Sequence, residues 1–124
     1  MKKILPLLVS TLLLGLSSCN DADVITIYST CTKGRILGPS CNGTLIQLTE
    51  DDQTVGKTIT YNGTIYHNVF GTYSALPATS AAGTEVTFQL RSVTTEEATS
   101  QPCLAIYQGF DVPQLAVENV GCRP

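Results

Sequence analysis

The chain has 124 residues and a formal charge of −3 at neutral pH, with ten acidic residues against seven basic ones and a single histidine. Because binding to a phosphate backbone requires clustered lysine and arginine, this balance argues against a nucleic-acid partner. The length suits one domain with a modest core.

The first 18 residues have the pattern of a secretory signal peptide. A short basic start, Met1-Lys2-Lys3, precedes an apolar run of 13 residues at 4–16. Crossing the hydrocarbon core of a membrane needs about 20 residues. The charged start and the sharp change of composition that follows the run favour a cleaved signal over a transmembrane anchor or a buried helix. Cleavage removes two lysines, which leaves residues 19–124 with a formal charge of −5.

The signal ends in Leu16-Ser17-Ser18-Cys19 instead of the small-x-small site of an ordinary signal peptide. This run resembles the lipobox of bacterial lipoproteins, in which an aliphatic residue and two small residues precede a cysteine. The resemblance implies that residues 1–18 form a lipoprotein signal peptide, that the thiol of Cys19 takes a diacylglycerol and that its freed amine can be acylated. One acyl chain binds a membrane marginally, whereas two or more hold firmly. A lipidated Cys19 is not available for a disulfide.

Residues 19–23 are predicted to form a lipidated tether that is short, polar and acidic. In lipoproteins of enteric bacteria, aspartate directly after the cysteine marks retention in the inner membrane, so Asn20 favours the outer membrane. A short acidic stretch at this place resembles the surface-export signal of Bacteroidetes-type lipoproteins, and a plain solvated spacer is the alternative. The expected location is the bacterial cell envelope, at the outer membrane, with the periplasmic or surface-exposed face left open.

Residues 24–124 are predicted to form a single disulfide-bonded β domain. Short runs with period-two alternation and β-branched residues predict strands at 24–28, 44–49, 57–61, 65–70, 85–91, 103–107 and 115–120. Asn62-Gly63 lies between two of these runs and favours a type I′ hairpin turn. Polar or small-residue stretches predict loops at 51–53, 76–83 and 108–113. The single helical candidate is one turn at 95–100, capped by Thr94 or Thr95.

Six or seven short strands predict a small antiparallel β-barrel or a β-sandwich. A long first strand region at 26–37 with an internal Gly34, then a hairpin and two more strands, resembles an OB-like barrel. The alternative is an immunoglobulin-like sandwich, and the chain lacks the tryptophan that such domains bury. The strand order and the run Cys-Asn-Gly-Thr-Leu-Ile at 41–46 also resemble small Bacteroidetes-type lipoproteins with OB-like domains. No function comes with that resemblance.

Four cysteines follow Cys19, and an even number in a small exported domain predicts two disulfides. A metal site is disfavoured because the cysteines are not closely paired and the chain has one histidine, so we expect no metal and no cofactor. Three pairings are open. Long loops remove more entropy from the unfolded chain, and a terminal strand frays most easily. We therefore predict Cys31 with Cys122 and Cys41 with Cys103, ahead of the swapped early-to-late pairing and of two local bridges.

No set of residues forms a catalytic pattern, which argues against an enzyme. His67 lies in an alternating run on the face of Ile65 and Val69, and without a Gly-x-Ser-x-Gly elbow it is best interpreted as an ordinary strand residue. The acidic clusters at 50–52 and 96–97 lie in polar stretches, where carboxylates are normally solvated.

Recognition is the role that remains. The segment at 70–83 is the best candidate for a partner-contacting loop, with Tyr73 and Leu76 expected to be exposed. We expect a non-catalytic binding or accessory module, attached to the membrane through the lipid on Cys19 and contacting a protein or a glycan. The alternatives are a structural envelope component that oligomerises, and a small secreted inhibitor or enzyme.

Overall fold

The computed structural model describes residues 24–50, 55–99 and 101–124. Within these ranges the protein is all-β and has no α-helix, as predicted. The six strands are β1 (Ile27–Ser40), β2 (Gly43–Leu48), β3 (Lys57–Tyr61), β4 (Thr64–Thr72), β5 (Glu85–Ser92) and β6 (Leu115–Glu118). The predicted signal peptide, the lipidated Cys19 with its tether and the loop at 51–53 lie outside the described residues.

The six strands form one antiparallel sheet in the order β3-β4-β2-β1-β5-β6. The sheet curls until β4 meets the start of β6, although the two strands are not neighbours in that order. Gly71 pairs with Gln114 through a parallel bridge, and the Gly71 N–H donates to the Pro113 carbonyl at 3.0 Å. This curled half-barrel is consistent with the small OB-like barrel predicted. A sandwich would require two facing sheets, and all the described strands belong to one.

β1 is 14 residues long and pairs with both of its neighbours in the sheet. Its second half pairs with β2, starting where Gly34 lies opposite Leu48, and its first half pairs with β5, starting at Ile27. Register shifts mark bulges against both partners. Because a bulge increases local twist, these irregularities let one long strand wrap around the core.

The interior of the curled sheet holds the main core cluster, whose buried members are Ile36, Ile46, Leu48, Phe70, Phe88, Leu90, Leu115 and Val117. Phe70 and Phe88 meet edge to face with their ring centroids 6.0 Å apart. Gly34 lies against this cluster, since a Cβ on it would approach Ile46 Cγ2 to 2.7 Å and the Phe88 ring to 2.9 Å. The missing side chain therefore lets β1 pass close to the core.

A second cluster lies on the other face of β2 and β4. Leu45 and Ile46 are both fully buried on β2 although adjacent residues of a strand point to opposite faces. Leu45 belongs to the second cluster, which is covered by Phe110 and Val112 from the segment that connects β5 to β6. Both faces of this part of the sheet are therefore shielded from solvent.

Two local predictions are confirmed. Asn62 and Gly63 both have positive φ, 49° and 81°, as a type I′ turn requires. The helical turn begins at Thr94, whose Oγ1 accepts from the Glu97 N–H at 3.1 Å. The Glu97 carboxylate accepts in return from the Thr94 N–H at 2.9 Å, and this reciprocal pair is a capping box.

The alternation of β4 is reversed by a bulge at His67 and Asn68. β4 has one more residue than β3 between two successive cross-strand pairs, and Asn68 has a positive φ of 58°. Val69 is therefore buried, whereas Ile65 and His67 are exposed. The prediction that His67 shares a face with both neighbours holds for Ile65 and is wrong for Val69.

The strand predicted at 103–107 is wrong. These residues form an exposed turn in which the Tyr107 N–H donates to the Leu104 carbonyl at 3.0 Å. Apolar alternation gives the run β propensity, but its two ends are attached to the turn between β1 and β2, which leaves the side chains outside the sheet. The strand predicted at 24–28 is partly right, since β1 begins at Ile27.

Candidate binding surface

Two disulfides join the early part of the chain to its late part. Cys31 on β1 is bonded to Cys122, 91 residues later, and Cys41 after β1 is bonded to Cys103, 62 residues later. This is the pairing predicted. The first bridge holds the C-terminal segment on β1. The second attaches the β5–β6 connection, residues 93–114, to the turn between β1 and β2.

The same turn holds the β5–β6 connection by hydrogen bonds. The Cys41 N–H donates to the Gln108 carbonyl at 2.9 Å. The Phe110 N–H donates to Asn42 Oδ1 at 2.7 Å, and Gln114 Nε2 donates to the Asn42 carbonyl at 3.0 Å. One disulfide and three hydrogen bonds thus attach residues 103–114 of the connection to Cys41 and Asn42, which fixes this later part of the connection.

An ionic network on Arg91 fixes the start of the connection. Its guanidinium donates twice to the Glu97 carboxylate, at 2.7 and 2.9 Å, and Nε donates to Glu118 at 2.7 Å. Hydrogen bonds from Arg91, and then from the Thr94 backbone, lower the pKa of Glu97 to about 2. The prediction that the acidic cluster at 96–97 is solvated holds for exposed Glu96 and holds only in part for Glu97, whose side chain is 37% exposed and paired with Arg91.

Between these attachments, residues 104–107 project outward; we name them the apolar loop. Leu104 is 63% exposed, Ile106 81% and Tyr107 36%. No residue from 98 to 110 is charged. Single exposed apolar residues are common on protein surfaces, whereas several adjacent ones on a fixed turn are typical of a contact surface. In the sequence, these residues are visible as an apolar run after Pro102. The alternation within that run predicted a strand instead of an exposed loop.

Two open clefts flank the apolar loop. One, of about 140 Å³, lies towards the β1–β2 turn and is lined by Cys41, Tyr73 and Leu104 among others. The other, of about 290 Å³, lies towards the β3–β4 hairpin and is lined in part by Tyr61 and Phe110. Pockets for small molecules usually measure about 300–1,000 Å³. The smaller cleft lies well below this range and the larger one lies at its lower limit, and both are open to solvent, so they suit side chains of a partner better than an enclosed ligand.

Tyr73 and Leu76, the predicted contact residues, are half-buried. β4 extends to Thr72, which places Tyr73 beside the β1–β2 turn, and the Tyr73 hydroxyl donates to the Cys41 carbonyl at 2.9 Å. Leu76 packs against the main core cluster. The expectation that both are exposed is therefore wrong. The Tyr73 ring lines the smaller cleft, so it borders the surface that the apolar loop forms.

The other candidate residues lie apart from the apolar loop. His67 is exposed, with Nδ1 at 2.9 Å from Thr58 Oγ1. Glu50 is half-buried, and its acidic neighbours Asp51 and Asp52 lie outside the described residues. In the described ranges, no three histidine, cysteine, aspartate or glutamate side chains are grouped so that they could hold a metal ion. Packing within the domain offers no explanation for the exposure of the apolar loop.

No protein-family model matches the chain, and a comparison with curated proteins found no match. A search of the described ranges for a helix long and apolar enough to cross a membrane finds none.

Proposed function

We propose that this protein is a lipoprotein of the bacterial cell envelope, held at the outer membrane by lipid on Cys19, whose β domain binds another protein without catalysing a reaction. The cysteine count carries the proposal. The chain has five cysteines, and the two disulfides use four of them. The fifth follows Leu16-Ser17-Ser18, and a spare thiol is unusual in an exported protein. Lipid on the thiol of Cys19 explains why the number of cysteines is odd and why Leu16-Ser17-Ser18 precedes this cysteine.

The binding half of the proposal is supported by the apolar loop. Its ends are held by a disulfide and by hydrogen bonds, so little conformational entropy is lost when a partner covers it. Complete burial of Leu104 or Ile106 would contribute about 1.5–3 kcal/mol each. An uncharged, apolar surface of this kind suits a protein partner better than a glycan, because a glycan presents mostly hydroxyl groups.

A structural component that oligomerises is the second candidate. The lack of charge from 98 to 110 favours it, because two copies could meet at this surface without placing like charges against each other. The formal charge of −5 on residues 19–124 opposes it, since that charge repels a second copy at longer range.

Removing the thiol of Cys19 is expected to abolish lipidation. In cells that process lipoproteins, labelled palmitate should enter the wild-type chain and should not enter Cys19→Ala, because the thiol is the first acceptor of lipid. The variant should also retain residues 1–18. As a control, the double variant Cys31→Ala, Cys122→Ala removes two other cysteines and should be labelled like the wild type. Equal labelling of wild type and Cys19→Ala would contradict the anchor.

A photoreactive residue in place of Ile106 is expected to form one discrete adduct with a neighbouring protein on native cells. The same residue in place of Ile65, which is 63% exposed on β4, should form none. Adding Leu104→Asp to the Ile106 probe should remove the adduct, because a carboxylate buried without a partner is costly.

The mass of the adduct separates the two candidates. A product with the mass of two copies of this chain would favour oligomerisation over a different partner. Equal adducts from both probe positions, or an adduct that survives Leu104→Asp, would contradict the assignment of the binding surface to the apolar loop.

A further inference from the structure

The start of the domain is a second exposed apolar surface. Val24 is 85% exposed and Ile27 61%, and Ile25 and Tyr28 are also exposed. No charged residue occurs from 24 to 32. We name residues 24–28 the entry segment. Ile27 and Tyr28 lie at a bulge against β5 and are both exposed, so the sheet covers neither of these side chains.

The entry segment projects because β1 extends past β2. Pairing with β5 begins at Ile27, whereas pairing with β2 begins at Gly34, so in the described ranges residues 27–32 have a neighbouring strand on one side. The segment is nevertheless held in place. Ser92 Oγ accepts from the Thr26 N–H, and the Ser92 N–H donates to the Thr26 carbonyl, both at 2.8 Å. It is therefore a fixed apolar strand end.

The length of chain before Val24 indicates what this strand end faces. Four residues separate Val24 from Cys19. The five steps between their Cα atoms span at most about 18 Å, since an extended chain advances about 3.3–3.6 Å per residue. A domain of about 100 residues has a radius of gyration near 13 Å, which corresponds to a width of roughly 33 Å. The tether is thus shorter than the domain is wide, and the entry segment stays on the side of the anchor.

We propose that the entry segment sits in the interfacial region of the membrane that carries the anchor, so that the domain is docked in one orientation instead of swinging on its tether. This inference rests on the proposed lipidation of Cys19. Val24 and Ile27 would enter the boundary between headgroups and acyl chains, as the apolar faces of interfacial segments do. Tyr28 has an apolar ring with a polar tip, and such residues are enriched at this depth.

The formal charge of the chain after Cys19 favours a zwitterionic lipid surface over an anionic one. Asp21 and Asp23 precede the segment, and residues 19–124 carry a formal charge of −5, so an anionic surface would repel the domain. Arg91, which lies opposite Ile27 in the sheet, has its guanidinium occupied by the carboxylates of the β5–β6 network. The segment itself contains no lysine or arginine that could attract anionic headgroups.

Tryptophan fluorescence tests this docking, because the chain contains no tryptophan of its own. Ile27→Trp and Ile65→Trp each introduce one, at two isoleucines with almost equal exposure, 61% and 63%. The full, lipidated chain is reconstituted into phosphatidylcholine vesicles whose acyl chains carry bromine, a contact quencher of tryptophan. We expect the fluorescence of Ile27→Trp to fall at least about twofold relative to unbrominated vesicles, as for groups at the acyl boundary. The fluorescence of Ile65→Trp should not change.

The outcomes separate this inference from the anchor on which it rests. A chain that floats with the vesicles while Ile27→Trp stays unquenched overturns the docking and leaves the anchor intact. Equal quenching at Ile27→Trp and Ile65→Trp also overturns it, because it shows adsorption without a preferred face. A chain that carries no lipid and does not float overturns the anchor, and the docking with it. Tyr28→Trp provides a second probe, at the bulge of β1, and should be quenched as well.

Discussion

Replacing Cys31 and Cys122 together with serine is expected to lower the melting temperature of the domain by roughly 8–40 °C. The bridge spans 91 residues, so its loss releases a large part of the unfolded chain from a constraint. Removing a native disulfide from a small exported domain costs about 2–5 kcal/mol. One kcal/mol corresponds to about 4–8 °C in a domain of this size. Thermal unfolding followed by circular dichroism measures the change.

The matched control is the double replacement of Cys41 and Cys103 with serine. Shortening the span from 91 to 62 residues changes the loop-closure term by only about 0.3 kcal/mol, so the two variants should melt at similar temperatures. They should differ locally, because the second bridge holds the apolar loop. Chymotrypsin should cleave after Tyr107 faster in the Cys41, Cys103 variant alone. A Cys31, Cys122 variant that melts within about 2 °C of the wild type would show that this bridge does not stabilise the fold.

Gly34→Ala is expected to destabilise the domain by about 1–3 kcal/mol, the usual cost of overpacking a core. The added methyl group would meet the Phe88 ring at 2.9 Å and Ile46 Cγ2 at 2.7 Å, and both neighbours are fully buried. Phe88→Leu, which shortens the obstructing side chain, should cost less in the Gly34→Ala background than in the wild type. We expect a coupling of about 1 kcal/mol between the two sites in chemical denaturation.

Gly63→Ala is the control for this double-mutant cycle of Gly34→Ala and Phe88→Leu. Gly63 has a φ of 81°, and nothing lies within 4 Å of the position that a Cβ would take, so alanine there is strained by its backbone and not by its neighbours. Its cost, about 1–2 kcal/mol, should add to that of Phe88→Leu without coupling. Additive costs for Gly34→Ala and Phe88→Leu would mean that the core adjusts to the methyl group without moving Phe88.

Features that depend on adjacent residues could be predicted from the sequence. The type I′ turn needs two neighbouring residues that tolerate positive φ, and Asn62-Gly63 supplies both. The capping box at Thr94 needs only the spacing to Glu97. Loop length and fraying of the last strand favoured bridges from the early to the late part of the chain, but loop length does not separate the observed pairing, with spans of 91 and 62 residues, from the swapped one.

The apolar loop could not be recognised in advance because periodicity records the spacing of apolar side chains and not what covers them. Leu104 and Ile106 alternate with other residues as buried strand residues do, yet they are exposed. What keeps them outside the sheet is the attachment of their flanks to Cys41, more than 60 positions earlier. That contact is set by the path of the chain after β5, which no local pattern specifies.

The prediction that Tyr73 is an exposed contact residue is wrong for a related reason. Tyr73 follows a strand that extends further than its alternation indicated, and its hydroxyl is engaged by the Cys41 carbonyl. The prediction of which residues share a face with His67 is partly wrong because Asn68 adopts a left-handed conformation. Any alternation counted across such a residue is shifted by one. Both errors come from contacts with other parts of the chain, the Cys41 carbonyl for Tyr73 and the Gly56 N–H for Asn68.

The attachments of the β5–β6 connection let the binding surface change in evolution while the fold is kept, two demands that usually conflict. Mutations in residues 104–107 change what the domain presents without touching the barrel, because Arg91, Cys103 and Asn42 fix the flanks independently of the loop's own side chains. Related proteins could therefore differ at these four positions as the partner changes. Substitutions at other positions would remain constrained by packing. Variation among natural copies should concentrate in these four residues and be scarce at the three that hold them.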